Sequence, residues 1–176
     1  MIWSQTELPG VLVGEMLRAA DDRGWFARVY CRQAFAELGI DFTPSQISVS
    51  HNHRAGTLRG MHFQMPPAEE RKLIRCIAGS VYDVIVDLRP ASPTHRRWLA
   101  VELSAAAGNA LFVPAGLAHG FLSREDGASL EYMIDAPYTA EHARGVRWND
   151  PAFAIAWPAE PRVMAERDRS WPDYAG

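Results

Sequence analysis

The sequence is poor in cysteine and in net charge, and it has no long apolar run. Its 176 residues include two cysteines, Cys31 and Cys76, which form neither a CxxC pair nor a Cys/His metal-binding spacing. We therefore expect free thiols in a reducing compartment, without a disulfide or metal framework. The net charge of −3 argues against a nucleic-acid partner, because binding along a phosphate backbone requires a basic surface.

Membrane-directing segments are also missing from the sequence. No stretch is long and apolar enough to span a bilayer, and the N-terminal residues lack the cationic start and apolar run of a signal peptide. We therefore expect a cytoplasmic protein with no membrane partner. The length fits one domain over residues 1–176, because such a chain buries roughly 70% of its unfolded surface around a single core.

Short segments of alternating apolar residues recur along most of the chain, separated by Gly, Pro, Asn and Asp. This spacing predicts a mainly β fold, an antiparallel sandwich or barrel with a few short helices. A helix is predicted over 33–38, ending at Gly39, and a further helical turn near 140–143. The predicted strands are 12–17, 25–30, 46–50, 57–64, 72–77, 81–88, 98–103, 110–113, 120–123 and 130–134.

The predicted strand over 57–64 carries a cation and an imidazole on either side of a glycine. Arg59 and His62 would point to opposite faces of a regular strand, because side chains alternate along it. Gly60 lies between them and favours a β-bulge, which re-aims neighbouring side chains. With a bulge, both side chains face one cavity. Without one, the same residues are a core histidine and a surface arginine.

The predicted strand over 81–88 has the clearest alternation. Asp83 and Asp87 share one face with Val81 and Ile85. Two carboxylates buried without partners would be strongly destabilising, so this face needs either water or polar partners. A polar barrel lumen and a solvent-exposed sheet face both meet that need, and the alternation does not choose between them.

Residues 108–119 contain a strand, a Pro/Gly turn and a histidine, His119, that enters the next strand. This order resembles the second motif of the cupin superfamily, whose small β-barrels place such a histidine at the lumen. The first motif of metal-binding cupins supplies His-x-His, whereas this chain has His62, Phe63 and Gln64. Chelating sites need three or more N or O donors, so we expect no metal, and Gln64 opposes a metal-dependent cupin oxygenase. A metal-free imidazole suits proton transfer near neutral pH.

An ordered series of motifs makes a second resemblance more specific. Together the motifs are similar to the dTDP-4-dehydrorhamnose 3,5-epimerase family of nucleotide-sugar enzymes, over nearly the whole chain. The matching motifs are Asp22-Arg-Gly24-x-Phe26, Arg59-Gly-Met-His-Phe-Gln64, Lys72-Leu73, Gly79-x-x-x-Asp83-Val-x-Val-Asp87-x-Arg89, Ser92-Pro-Thr94, Pro114-x-Gly116-x-Ala-His-Gly-Phe121, Gly145-x-Arg-Trp-Asn-Asp-Pro151 and Glu166-Arg-Asp168.

The resemblance implies a cupin-like jelly-roll β-barrel, a homodimer that exchanges N-terminal strands, and neither a metal nor an organic cofactor. It also implies a substrate, a nucleoside-diphosphate 4-keto-6-deoxysugar. The family converts dTDP-4-dehydro-6-deoxy-D-glucose into dTDP-4-dehydro-L-rhamnose, a precursor of cell-surface polysaccharide. A proton leaves the carbon beside the C4 ketone, an enolate forms, and a proton returns on the opposite face of the sugar.

The resemblance assigns four catalytic residues. His62 is the base, and Asp168 holds its tautomer; such acid–base help is worth about 10² to 10⁴-fold in rate. Lys72 places positive charge near the enolate oxygen. Tyr132 is the acid that returns a proton on the side away from His62.

Six positions match substrate-binding residues of the family. Arg23 and Arg59 match positions that bind the diphosphate, where a planar guanidinium suits bidentate contacts to phosphate oxygens. Phe26, Gln46 and Tyr138 match positions around the nucleotide. His119 is expected to line the pocket, and we hypothesise that Asp83 orients it. Four other histidines fall outside the motifs and are expected at the surface: His51, His53, His95 and His142.

Each of these residues also has a purely structural interpretation. Lys72 suits a solvated strand face, Tyr132 a half-buried strand position with a wet hydroxyl, and Asp168 a frayed tail. Tyr138 follows a proline and would serve as an ordinary turn anchor. The two arginines would be ordinary surface residues.

Three positions depart from the commoner family form. Arg28 stands where a glutamate often occurs, Ser48 replaces the usual asparagine, and Met61 replaces leucine. Methionine is nearly isosteric with leucine, but the other two changes leave the base and sugar specificity open. Two alternatives remain: an epimerase that inverts only C3 or only C5 or uses another nucleotide, and a cupin that binds sugar nucleotides without turnover.

Overall fold

Two six-stranded sheets and one separate hairpin make up the β structure. The computed structural model describes residues 1–176. Its elements are β1 (Ile2–Gln5), β2 (Leu12–Glu15), β3 (Ala19–Asp21), β4 (Gly24–Phe26), α1 (Arg32–Glu37), β5 (Gln46–His51), β6 (Thr57–Gln64), β7 (Lys72–Ala78), β8 (Ser80–Asp87), β9 (Trp98–Ser104), β10 (Asn109–Val113), β11 (Leu117–Ser123), β12 (Ser129–Ile134), β13 (Ala143–Gly145), β14 (Val163–Met164) and α2 (Glu166–Arg169).

The two large sheets enclose the central core. The first has the strand order β1-β2-β10-β7-β12-β5, and the second has the order β13-β6-β11-β8-β9, with β14 beside β6. Only the β14 and β6 pair is parallel. Ile74, Leu111 and Leu130 of the first sheet and Ile85 and Phe121 of the second share one buried cluster. The antiparallel, mainly β fold predicted from the sequence is therefore confirmed.

Aromatic residues cover the outer faces of both sheets. On the first sheet, Phe35 of α1 packs against Phe42 and Phe112, with ring centroids 5.4 and 5.2 Å away. On the second sheet, the chain after β13 supplies Phe153 and Trp157 to a cluster that contains the outward side chains of β8. Because both faces of the second sheet are covered, the carboxylates of β8 lie in the interior rather than at a solvated face.

Asp87 shows how the interior of β8 accommodates a charge. Its carboxylate accepts hydrogen bonds from Arg89 Nε at 2.9 Å, Ser92 Oγ at 2.6 Å and Thr94 Oγ1 at 2.6 Å. Burial alone would raise the pKa of Asp87, but hydrogen bonds from Arg89, Ser92 and Thr94 outweigh it and hold the pKa well below its ordinary value. The polar partners that the alternation required are therefore contributed by the chain itself.

The C-terminal tail is fixed against the second sheet and is not frayed. β14 runs parallel to β6, pairing Val163 with Thr57. The indole of Trp171 lies on Gly145 of β13, so closely that a Cβ at Gly145 would come within 2.3 Å of the ring. These contacts hold α2 beside β6 and bring Asp168, which is buried, to the interior.

The observed elements differ from the predicted ones mainly at edges. The predicted strand over 25–30 is limited to Gly24–Phe26, and the predicted helical turn near 140–143 is one hydrogen-bonded turn that leads directly into β13. The sequence did not predict β1, β3, β13 and β14, because each has two to four residues and depends on its partner strand. No helix is long and apolar enough to cross a membrane.

Candidate active site

A β-bulge in β6 turns Arg59 and His62 to the same side. On β11, His119 pairs with His62 and Phe121 pairs with Arg59, so three steps along β6 oppose two along β11. Gly60 has a φ of +146°, and a Cβ there would lie 2.6 Å from the Cα of Gly120. Only glycine fits this close backbone approach. Of the two alternatives left open by the sequence, the structure has the bulge.

A cavity of about 330 Å³ opens between the inner faces of the two sheets. Eight of the ten predicted site residues line it, and they come from six separate elements and one loop. These residues are Gln46, Arg59, His62, Lys72, His119, Tyr132, Tyr138 and Asp168.

His62 and Asp168 form a hydrogen-bonded pair at the cavity wall. Nε2 of His62 lies 2.7 Å from Oδ1 of Asp168, and the second carboxylate oxygen accepts the backbone N–H of Gly60 at 3.3 Å. The aspartate side chain is 6% exposed and the histidine 42%. Burial would raise the pKa of Asp168, but the His62 hydrogen bond and charge, with the Gly60 N–H, lower it below its ordinary value. The ionised carboxylate therefore orients an imidazole whose other nitrogen is free to face the cavity.

Tyr132 is half-buried and places its phenol at the same cavity. Its ring lies edge-on to the ring of His119, with 5.7 Å between centroids. Burial, together with the negative charge of Asp83, raises the pKa of Tyr132 well above its ordinary value. The phenol therefore stays protonated near neutral pH and is available as a proton donor.

Lys72 is a buried ammonium with a carboxylate partner. Its Nζ lies 2.9 Å from Oε1 of Glu70, and their side chains are 9% and 10% exposed. Nζ also approaches the backbone carbonyl of His62 at 3.5 Å. The interpretation of Lys72 as a solvated strand lysine is wrong, because the side chain points into the cavity.

A second histidine and carboxylate pair lies behind the first. Nε2 of His119 is 2.8 Å from Oδ2 of Asp83, and both side chains are buried. Burial raises the pKa of Asp83 above its ordinary value, although the His119 and Lys72 charges act in the opposite sense. The contact hypothesised from the sequence is confirmed, and its effect on activity stays a prediction.

Two predicted binding residues lie outside the cavity of their own chain. Arg23 and Phe26 belong to the β3–β4 hairpin, which pairs with no other strand. The Arg23 side chain is 90% exposed and paired with Asp21 at 2.6 Å, and Phe26 is 74% exposed. Sequence matching could not locate them, because the hairpin projects from the body of the chain.

The positions that depart from the family form lie in different places. Ser48 lines the cavity and is paired across the strands with Tyr132. Arg28 lines a separate apolar groove near α1, so within one chain it lies away from the cavity. Met61 is fully buried in the core.

The four remaining histidines lie outside the cavity. His51 and His53 are exposed as predicted, whereas His95 and His142 are half-buried through contacts with Tyr174 and Thr139. No group of three or more His, Cys, Asp or Glu side chains is arranged to hold a metal ion.

Three cavity residues with charged or amide side chains were not assigned a role from the sequence. Glu70 holds Lys72, Gln64 contacts Glu70, and Arg167 lies next to Asp168 in α2. The alternation of β6 places Gln64 on the same face as His62, which is the signal that could have identified it. Glu70 precedes its strand, and no local pattern marks it.

Proton transfer is what this geometry can perform: one group can take a proton from a bound molecule, and another can return one. The fold and the cavity thus define an acid–base enzyme of the isomerase class. A family model described as dTDP-4-dehydrorhamnose 3,5-epimerase matches residues 5–175, and the chain belongs to that family.

Individual relatives agree with this assignment. The dTDP-4-dehydrorhamnose 3,5-epimerase of Sinorhizobium fredii is 42% identical over 153 residues, which cover 86% of this chain and 78% of that one. A dTDP-4-dehydro-6-deoxyglucose 3-epimerase from a Streptomyces species is 39% identical, covering 89% and 80%.

A solved structure has nearly the same fold over the full length. The crystal structure of dTDP-4-dehydrorhamnose 3,5-epimerase from Bacillus anthracis, with TDP and PPi bound, has a TM-score of 0.95 and 38% identity. It covers 98% of this chain and 99% of that one.

Proposed function

We propose that the chain is a dTDP-4-dehydro-6-deoxy-D-glucose 3,5-epimerase that forms dTDP-4-dehydro-L-rhamnose. The observation that carries the proposal is that the His62 and Asp168 pair and the phenol of Tyr132 line one cavity. A base and an acid at one cavity are what inversion next to a ketone requires.

The proposed reaction moves two protons and no electrons to or from the enzyme. His62 removes the proton from the carbon beside the C4 ketone, and the C–H electron pair moves into an enolate. Lys72 stabilises the enolate oxygen, an effect that is strong in a dry site. Tyr132 gives its hydroxyl proton to the same carbon on the opposite face. His62 then returns its extra proton to solvent, and Tyr132 takes one back.

Arg59 is proposed to bind the diphosphate. Its Nε donates to Asn52 Oδ1 at 2.9 Å, and one terminal nitrogen approaches the carbonyl of His51 at 3.3 Å. These contacts fix the guanidinium plane at the cavity edge and leave the other terminal nitrogen for a phosphate oxygen. Gln46 and Tyr138 are proposed to contact the nucleotide, and His119 the sugar.

A homodimer with exchanged N-terminal strands is proposed to complete the site. The β3–β4 hairpin exposes Phe26, and β5 is an edge strand that exposes Ile47 and Val49 on its outer face. Such apolar surface beside a free strand edge favours association with another chain. Since the inner side chains of β5 line the cavity, a hairpin docked at this edge would bring Arg23 and Phe26 of the partner to its mouth.

Complementation between two inactive variants tests this dimer. Chains with Arg23→Ala are mixed, unfolded and refolded with chains carrying His62→Ala. If each site combines two chains, one site of every mixed dimer is intact, and about 25% of wild-type activity returns. No recovery, with mixed dimers demonstrated by mass, would refute sharing of the site.

We also propose a cytoplasmic location, supported by Cys31 and Cys76, which are both free thiols.

A single-centre epimerase is the second candidate, and one observation favours it. The 3'-monoepimerase ChmJ from Streptomyces bikiniensis, solved with dTDP-quinovose, has a TM-score of 0.89 and 33% identity, covering 96% of this chain and 85% of that one. This similarity is close to that of the double epimerases, so the scaffold supports both outcomes.

Deuterium incorporation separates these functions. The protein is incubated in D₂O with dTDP-4-dehydro-6-deoxy-D-glucose, and the sugar is followed by NMR. Label at both C3 and C5 supports the double epimerase, and label at one carbon supports the single-centre enzyme. Tight binding of the sugar nucleotide without label at either carbon would refute both.

A further inference from the structure

We propose that Gln64 is a positioning residue that holds both Lys72 and the Tyr138 loop at the cavity. This inference rests on the proposed epimerase activity, because it assigns Gln64 a task within the same site.

The amide of Gln64 makes more polar contacts than any other side chain at the cavity. The two hydrogens of its Nε2 are shared among three acceptors, Ala68 O at 3.0 Å, Glu70 Oε2 at 3.1 Å and Pro137 O at 3.2 Å. Its Oε1 accepts from Thr139 N at 2.7 Å and Thr139 Oγ1 at 3.1 Å. Backbone carbonyls on one side and a backbone N–H on the other fix which end of the amide is the nitrogen. The groups around position 64 therefore require an amide side chain.

The first arm of this network leads to Lys72. Glu70 uses Oε2 to accept from Gln64 and Oε1 to accept from Lys72. Both charged groups are about nine-tenths buried, so each depends on fixed polar partners. Gln64 thereby positions the carboxylate of Glu70, and that carboxylate positions the ammonium of Lys72.

The second arm leads to Tyr138. This residue lies in the loop between β12 and β13, and its ring lines the cavity while remaining 58% exposed. Both of its neighbours, Pro137 and Thr139, are bonded to Gln64. A loop residue with an exposed ring is mobile unless its backbone is held, and Gln64 provides that hold from the rigid strand β6.

A glutamate at position 64 would break the arm to Lys72 and the Pro137 bond of the other arm, and it would keep only the two bonds from Thr139. Its first oxygen still accepts from Thr139, whereas its second oxygen faces three acceptors, among them Glu70. Two neighbouring carboxylates repel each other in a buried site, so Glu70 and with it Lys72 must shift. Glu70→Gln in the same chain restores a donor and acceptor pair between the two positions with the polarity reversed.

Steady-state kinetics and calorimetric binding of dTDP test the proposal. For Gln64→Glu we expect kcat to fall about 10²-fold while the dTDP Kd stays within about threefold. The double variant with Glu70→Gln should recover at least about tenfold in kcat over Gln64→Glu alone. Thr139→Val removes the hydroxyl that contacts Gln64 Oε1 and His142 Nδ1 and keeps the backbone N–H bond to Gln64, so the dTDP Kd should rise about fivefold with kcat unchanged.

Gln5→Glu is the matched control, because it adds the same charge at an exposed position of β1 that makes no side-chain hydrogen bond. A Gln64→Glu variant with kcat within about twofold of this control would overturn the proposal, and so would a double variant that recovers nothing. An inactive wild-type protein would overturn the proposed epimerase activity instead. In that case Gln64→Met, which removes both arms, still tests the Tyr138 hold: it should weaken dTDP binding at least about fivefold, and unchanged affinity would contradict it.

Discussion

Replacing Asp168 by asparagine should convert His62 from a base into a donor at the cavity. The backbone N–H of Gly60 needs an acceptor, so the asparagine turns its oxygen to Gly60 and its NH₂ to His62 Nε2. The imidazole then carries its proton on Nδ1, the nitrogen that must take a proton from the substrate. A change of tautomer, rather than a loss of packing, is the expected defect.

The size of this effect follows from the free-energy difference between the two orientations of the asparagine amide. Turning the asparagine to accept from His62 leaves the Gly60 N–H facing another donor, which costs about 1 to 3 kcal/mol. Roughly one molecule in six to one in 160 then keeps the productive tautomer of His62, in which Nδ1 carries no proton. Loss of the carboxylate charge weakens the bond to the imidazolium by about 1 kcal/mol more, so kcat should fall roughly 30-fold to 800-fold.

The assay measures kcat and dTDP affinity in Asp168→Asn and in a control, Asp173→Asn. Asp173 lies in the same tail, is exposed and contacts Arg147 outside the cavity. We expect unchanged dTDP affinity in both variants and a loss of kcat only at position 168. A variant at position 168 with kcat within about threefold of wild type would refute the tautomer argument.

Two further predictions concern stability and the tail. Asp87→Asn should reduce the free energy of unfolding by about 3 kcal/mol, because Arg89 loses its buried partner. The pKa of Asp87 is lower in the folded protein than in the unfolded chain, where it is about 4. The stabilisation from Asp87 is therefore fully present above the unfolded-state pKa and is lost as the pH falls through the folded-state pKa. Urea unfolding across this acid range should therefore show a shallower pH dependence in the variant, and an unchanged slope would contradict the assignment. Gly145→Ala should push Trp171 away, because the new Cβ would meet the indole at 2.3 Å. By displacing α2 and Asp168 it should lower both Tm and kcat, and a Tm equal to that of wild type would show that the tail does not depend on this contact.

Local patterns predicted the parts of the site that lie within one strand. Gly60 between Arg59 and His62 indicated the bulge, and the alternation of β8 placed Asp83 and Asp87 on one face with a need for partners. Period-two alternation and glycine geometry are local physics, so a single sequence contains them.

Contacts between distant segments could not be predicted from local sequence patterns. Asp168 looks locally like part of a charged tail, and it is buried through the pairing of β14 with β6 and the contact of Trp171 with Gly145. The partners of Gln64 come from two loops, at 65–71 and 135–142, whose approach depends on the packing of both sheets. The β3–β4 hairpin pairs with no other strand of its own chain, so any role at the cavity depends on the proposed dimer, which a single sequence does not describe.

The most direct test of the central claim is the stereochemical course of exchange in Tyr132→Phe. His62 and Asp168 are intact in this variant, so the base should still remove the substrate proton and return deuterium from D₂O on the same face. We predict NMR signals of labelled dTDP-4-dehydro-6-deoxy-D-glucose with unchanged configuration and no rhamno product. Inverted product formed at the wild-type rate would show that Tyr132 is not the acid, and would contradict the assignment of base and acid to these two residues.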